Sequence, residues 1–289
     1  MANAIALFKK YIALLDEVYK QASKTSILDG SSALVQAGAN ANEIIVPKLS
    51  MDGLADYSRN DGYVKGDVEL VMETVKFNYD RGRKFSVDAM DNEETAGLAF
   101  GKLSSEFIRT RVVPEMDAFR FAKYAGTDGI SKATGTLADG NAVLAALVAA
   151  QSKMDDDEVP TENRYLYITP THYNAVQAVD TTKSKEVLAG FTKIEKVPQS
   201  RFYSGIELKD GTTSGEEAGG FAKADGAADL NFMILHKDAL LQYPKHTVNK
   251  IITPEANQES DGYLFFYRAY GLAEVYENKR AGVYAHIKG

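Results

Sequence analysis

Cysteine is absent from the chain, and so is tryptophan. Without cysteine there can be no disulfide, no thiolate metal site and no cysteine nucleophile. The absence is compatible with a reducing compartment. Clustered basic charge is missing too. Acidic residues outnumber basic ones 40 to 33, the net charge is -7, and the longest basic groups are Lys9-Lys10 and Arg81-Gly82-Arg83-Lys84. A protein that grips nucleic acid along its length shows a basic stripe; this pattern describes a solvated acidic surface instead. Long apolar runs are lacking as well. The stretch from Tyr165 to Val179 has 15 residues without a charge and contains Pro170, whereas a membrane helix needs roughly 20 apolar residues. The N-terminus does not read as a signal peptide: Lys9 and Lys10 follow the first apolar residues, and Asp16 and Glu17 interrupt the next. What is present is ordinary for a folded protein of 289 residues: 45% hydrophobic and 25% charged content.

The chain opens with an amphipathic pattern. Over residues 5–20, Phe8, Ile12, Leu15 and Tyr19 form one helical row, and Leu7, Tyr11, Leu14 and Val18 form the row beside it. So wide an apolar face must be covered. Residues 29–43, rich in Gly, Ser and Asn, read as an extended arm or loop. Ile44-Ile45-Val46 is a short strand that Pro47 marks as an edge. After a polar, turn-rich stretch, residues 64–79 alternate. Val68, Leu70 and Met72 share one face; Glu69 and Glu73 share the other with Val71, Val75, Phe77 and Tyr79. Asp80 to Arg83 reads as a turn and Lys84 to Val87 as a resumed strand. Residues 46–88 thus predict a long β arm with polar tips.

Residues 91–125 carry the strongest helical signal. Asp91 and Glu94 resemble a capping box, and Leu103, Phe107, Ile108, Val112, Met116 and Phe119 continue the stripe. Such a helix would span roughly 50 Å, with Pro114 kinking or splitting it near residues 111–113. A second helix is expected over 141–154, with Asn141 as its cap. Arg164–Ile168 predicts a strand, and Thr169-Pro170 begins a helix. Strands follow at 192–197, 206–208 and 232–235, a glycine-rich surface loop at 209–228, and further strands at 248–252, 263–275 and 282–287. Helices and strands mix without βαβ regularity, so the class is α+β.

Known chemical motifs are missing. There is no phosphate-binding loop, dinucleotide fingerprint or hydrolase elbow. His172, His236, His246 and His286 are scattered, without metal-ligand spacing. The acidic run Asp155–Glu158 lacks the alternation of a calcium loop and reads as a solvated turn. Glu69 and Glu73 on one strand face read as surface rather than as an acid–base pair. Catalytic residues, cofactors and metals are therefore all expected to be absent.

The order of parts resembles the major capsid protein of tailed bacteriophages, the Hong Kong 97-type fold. Stretches similar to capsid sequences are Leu15 to Lys20, Tyr167-Ile168-Thr169-Pro170, Val197 to Arg201, and Gly271 to Gly282. The resemblance implies an N-terminal arm at 1–45, an extended β loop at 46–90, a peripheral domain with a spine helix at 91–140 and 229–289, and an axial domain at 141–228. It implies pentamers and hexamers closing into an icosahedral shell around packaged DNA, without sequence-specific binding, cofactor or membrane. It places the protein in the virion capsid, made in the host cytoplasm. Only about 90 residues precede the spine helix, so a separate scaffolding protein is expected, with a portal. Two other readings stand beside this one: an encapsulin-type nanocompartment, distinguished by protein cargo, and an enzyme, which a pocket of convergent titratable groups would favour. The residues expected at subunit contacts are Phe8, Ile12 and Leu15 of the arm and Asp56, Arg59, Asp61, Val75, Phe77 and Tyr79 of the β loop. Those expected in the core are Leu103, Phe107 and Val112. Residues 1–28 are expected to be dispensable for folding.

Overall fold

A computed structural model describes residues 23–30, 36–37, 43–60, 62–89, 104–179 and 181–289. Phe8, Ile12, Leu15, Asp61 and Leu103 lie outside these residues, as does the Asp91–Glu94 capping box. The chain divides into two compact units, residues 31–78 and the remainder.

The smaller unit is a three-stranded antiparallel sheet of β1 (Gln36–Ala37), β2 (Glu43–Met51) and β3 (Val68–Lys76), in the order β1-β2-β3. The β2–β3 register pairs Pro47 with Met72, Leu49 with Leu70, and Met51 with Val68. Because side chains alternate across a strand, these six residues share one face. Glu73 and Glu69 lie opposite Val46 and Ser50 on the other.

The larger unit is layered. Its central sheet has the order β5-β13-β10-β6-β7, from β5 (Ser131–Thr134), β6 (Arg164–Ile168), β7 (Lys193–Lys196), β10 (Leu230–His236) and β13 (Val283–Ile287). All five residues of β6 and all seven of β10 are buried. This is why Tyr165–Ile168 and Phe232–Leu235 read as continuous apolar runs rather than alternating ones. On one face, Leu166, Ile168, Phe232 and Ile234 pack with Val143, Leu147 and Met154. These last come from α2 (Gly140–Asp156), beside α3 (Pro170–Gln177) and α4 (Thr181–Ala189). On the other face, Tyr165, Tyr167, Met233 and Leu235 join a core containing Phe119, Phe121 and Tyr124 of α1 (Val113–Gly126). That core continues into a second antiparallel sheet, β11-β12-β4, built from β4 (Tyr79–Asp88), β11 (Leu240–Ile252) and β12 (Gly262–Val275).

Several expectations change here. The sheet β5-β13-β10-β6-β7 joins strands from both sides of residue 229, so that boundary cuts through one packed layer. Asp80–Arg83 is not a turn: β4 runs unbroken through it, pairing with β12 from Asp88↔Gly262 to Tyr79↔Gly271. Gly82 permits this, since a Cβ there would lie 2.8 Å from the Tyr267 carbonyl oxygen. Composition suggests a turn, but pairing with a distant strand decides the backbone. Asp139, not Asn141, caps α2, accepting from the Ala142 N–H at 2.8 Å. The glycine-rich stretch 209–228 is not wholly loop, because β9 (Phe221–Lys223) pairs with β8 (Ile206–Leu208). Pro114 neither ends nor splits the helix. Residues 108–112 form a π turn in which the Val113 N–H bonds to the Ile108 carbonyl. The widened turn accommodates a residue that has no N–H and whose ring crowds the preceding turn.

Residues 23–30 belong to the core rather than to a dispensable arm. Leu28 is fully buried, so truncation after residue 28 would remove a core side chain. Val112 is buried and Phe107 is half-buried. The Phe107 ring lies 4.7 Å from Phe85 and 6.0 Å from Tyr267. Phe107→Ala is expected to cost about 3 kcal/mol, at the low end for a phenylalanine because the ring is partly exposed. Urea denaturation measures this; an unchanged midpoint would show that the cluster contributes nothing.

Candidate interface surfaces

Apolar exposure is concentrated in one place. Among the described residues, eleven large apolar side chains are exposed, and ten of them lie between Leu49 and Met72. Nine of them form two groups, and Val71 lies on the opposite face of β3, across from Lys48. The first is the stripe on the β2–β3 face, where Leu49, Met51, Val68, Leu70 and Met72 are each about half exposed or more. Burying the remaining surface would contribute on the order of 1 kcal/mol per side chain. The second is the tip. Residues 51–57 are all exposed, the Ser58–Gly62 bridge closes a turn, and the Tyr57 and Tyr63 rings meet edge to face at 4.9 Å. Asp56 and Arg59 are exposed at this tip. Val75 and Phe77 are half-buried.

Tyr79 is different. It is 5% exposed, its ring packs 4.9 Å from Phe119, and its hydroxyl reaches Glu115 at 3.3 Å. It is a core residue of its own subunit, with no side-chain surface left for a neighbour. The alternation that grouped it with Val75 is broken at Phe77-Asn78, between β3 and β4.

A buried polar network holds residues 23–30 on the larger unit. Asp117 of α1 is fully buried. It accepts from Ser23 Oγ at 3.0 Å, Lys24 N at 3.1 Å, and Thr25 N and Oγ1 at 3.2 and 2.8 Å. Arg201 pairs with it at 3.2 Å. One turn on, Arg120 donates to Thr25 Oγ1 and pairs with Asp29 at 3.3 Å. Gln242 of β11 donates to the Thr25 carbonyl at 2.7 Å and to Asp29 at 2.6 Å. Burial pushes the Tyr124 phenol well above its ordinary value; it stays protonated and donates to Gln242 Oε1 at 2.7 Å. Sequence reading missed this network. Its signal was a pair of charges, Asp117 and Arg120, on the helical stripe that also carries Phe121 and Tyr124.

The histidines make no metal site, and no group of three His, Asp or Glu among the described residues is placed to hold an ion. His172 hydrogen-bonds Thr169 Oγ1 at 2.6 Å, and His286 contacts Asn231 at 3.0 Å. Burial depresses both imidazoles below their ordinary value. They are neutral members of the sheet and cap.

The chain aligns over most of its length with several solved structures. The capsid of Staphylococcus phage Andhra aligns over 92% of this chain and 84% of its own, with a TM-score of 0.59 and 10% identity. The structure of Gordonia phage Cozz aligns over 92% and 86%, with a TM-score of 0.61 and 12% identity. A virus-like particle from Pyrococcus furiosus aligns over 97% of this chain and 99% of its own, with a TM-score of 0.60 and 12% identity. The chain has the Hong Kong 97-type capsid fold. No family model and no curated protein sequence matches it. At such identities only the fold is shared visibly, which suits a fold set by burial pattern and topology.

Proposed function

We propose that this chain is the major capsid protein of a tailed bacteriophage. Copies assemble into pentamers and hexamers, and these close into an icosahedral shell around the double-stranded DNA genome. Scaffolding and portal functions come from separate proteins. The observation that carries this reading is that, among the described residues, ten of the eleven exposed large apolar side chains lie on one β hairpin. A two-stranded ribbon is marginal in water, and a contiguous exposed apolar surface marks an interaction site. In a fold shared with shell-forming proteins, the partner that covers it is another copy of the chain. The net charge of -7 suits a shell that encloses DNA without gripping it, since tight phosphate contacts need clustered Lys and Arg.

A second reading, a nanocompartment shell, draws support from the near end-to-end alignment with the Pyrococcus furiosus particle. Negative-stain microscopy of the purified protein, followed by nuclease and protease digestion of its particles, separates the two. Closed particles retaining nuclease-protected DNA after phage-type packaging support the capsid. A protected protein cargo supports the compartment. A protein that stays monomeric at high concentration, both alone and under crowding conditions that stand in for a scaffolding protein, contradicts both.

A further inference from the structure

The larger unit contains a cavity of about 550 Å³ between β4, the helix around residues 106–115 and residues 209–221. Phe85, Phe107 and Tyr267 give it an aromatic wall, and Lys209, Asp210 and Ala218 to Phe221 supply lining from the segment between β8 and β9. That segment is built as one piece. Asp210 accepts from Thr213 Oγ1, Thr213 N and Thr212 N at 2.6–2.8 Å. The Thr213 hydroxyl and the two amides hold its carboxyl well below the usual carboxylate range, so it stays ionised. Glu216 accepts from the Asp210 N–H, and Glu217 from the Gly215 N–H, each at 3.0 Å. The Glu216 and Gly219 N–H groups close two further turns at 2.8 and 2.7 Å. A loop bonded to itself in this way is a compact unit. It has no apolar hold on the body. From Lys209 to Gly220 no apolar side chain is larger than alanine, and residues 212–215, 217 and 218 are exposed. So little buried apolar contact marks a segment that opens locally at low cost.

Two guanidinium groups of β4 hold it instead. Arg83 donates to the Glu217 carbonyl at 2.8 Å, and Arg81 to the Gly220 carbonyl at 3.2 Å. The ionised Asp210 adds an attraction to Arg81, which is itself anchored on Glu115 at 2.8 Å. Gly211, at a φ of +78°, makes the seat for Arg83, since a Cβ there would lie 2.7 Å from the guanidinium. Gly220 differs. Its φ is +85°, and a Cβ there would meet nothing, so glycine serves the backbone conformation rather than the space. Both clasps end on backbone carbonyls, and such a hydrogen bond contributes only modestly once solvent is counted. We propose that residues 210–219 are a hinged lid over the cavity, turning at Gly220 and latched to β4 by Arg83 and Arg81. Latched, the lid covers the aromatic wall; lifted, it opens that wall to solvent. The device belongs to the single subunit and does not rest on the shell reading.

Two measurements on the full, unassembled chain test it. Glu216 and Glu217 make the lid a substrate for a glutamate-specific protease, and Glu162, exposed in a different loop, serves as the internal reference. Arg83→Ala should raise cleavage after residues 216 and 217, relative to cleavage after Glu162, about fivefold, the factor that one hydrogen bond of ordinary net strength supplies. Arg83→Lys, which keeps a single donor group, should fall between. The reference site shares any global unfolding, so a less stable variant is still read by the ratio. An unchanged ratio overturns the latch. The second measurement reads the cavity. The chain has no tryptophan, so Phe221→Trp places a single reporter in the lining. Its emission should be shielded from acrylamide in the otherwise unchanged subunit and become quenchable when Arg83→Ala is added. A reporter as quenchable in the parent as in the urea-unfolded chain overturns the lid, as does one that Arg83→Ala leaves unchanged.

Discussion

Asp117→Ala is expected to lower subunit stability by on the order of 3–5 kcal/mol, the cost of removing one partner from a buried ion pair. For a chain of this size that corresponds to a fall in melting temperature on the order of 10 °C. The carboxylate is fully buried and satisfies four donors from Ser23, Lys24 and Thr25 as well as Arg201. Its removal strands a guanidinium that is only 19% exposed and frees the two Thr25 donors from their acceptor. Asp117→Asn keeps one acceptor oxygen and should lose less. Limited proteolysis gives a second readout, because residues 23–30 should become cleavable in the alanine variant while α2 stays protected. A melting temperature within about a degree of wild type would show that water replaces the carboxylate without cost, and that Leu28 with the Arg120 and Gln242 contacts suffices to hold this segment.

The second large effect is on assembly rather than folding. Replacing residues 52–62 by a short Gly-Ser turn should leave circular dichroism and melting temperature nearly unchanged. Every described residue removed is exposed or half-exposed, and neither core cluster includes any of them. The sedimenting, assembled fraction should fall by more than about tenfold. The loss of one buried aromatic contact at an interface costs roughly 2 kcal/mol, and each 1.4 kcal/mol is about tenfold in an equilibrium constant. Normal particle yield from the shortened chain would show that the tip is not an assembly element. Unfolding of the shortened subunit would show that it belongs to the subunit's own core. The stripe Leu49, Met51, Val68, Leu70 and Met72 remains in this variant, so any residual assembly measures what the ribbon face contributes without its tip.

Where information is local, the chain announces its own structure. The alternation from Val68 to Met72, with glutamates between, requires a strand with two distinct faces, and the register of β2 and β3 has those faces. Arg164–Ile168 is a strand because its run is short, apolar and rich in β-branched and aromatic residues, and because Thr169-Pro170 stops it with a helix cap. The mixed class and the order of parts follow from such segments, and they were enough to suggest the Hong Kong 97-type fold. The same patterns placed surplus apolar side chains on an extended arm, the feature on which the functional reading depends. Tertiary structure decided the rest, for a common reason: the deciding partner is far away in sequence. Asp80–Arg83 is strand rather than turn because β12, nearly two hundred residues later, supplies its hydrogen bonds, and Gly82 lets that strand come close. Tyr79 is core rather than contact because Phe119 and Glu115 meet it. Leu28, Asp117 and Arg120 look like an arm residue and two misplaced charges until Gln242 and Arg201 are brought beside them. The cavity lined by Arg83 and Arg111 draws on segments around residues 83, 111, 210 and 267, and no periodicity in any one of them encodes their meeting.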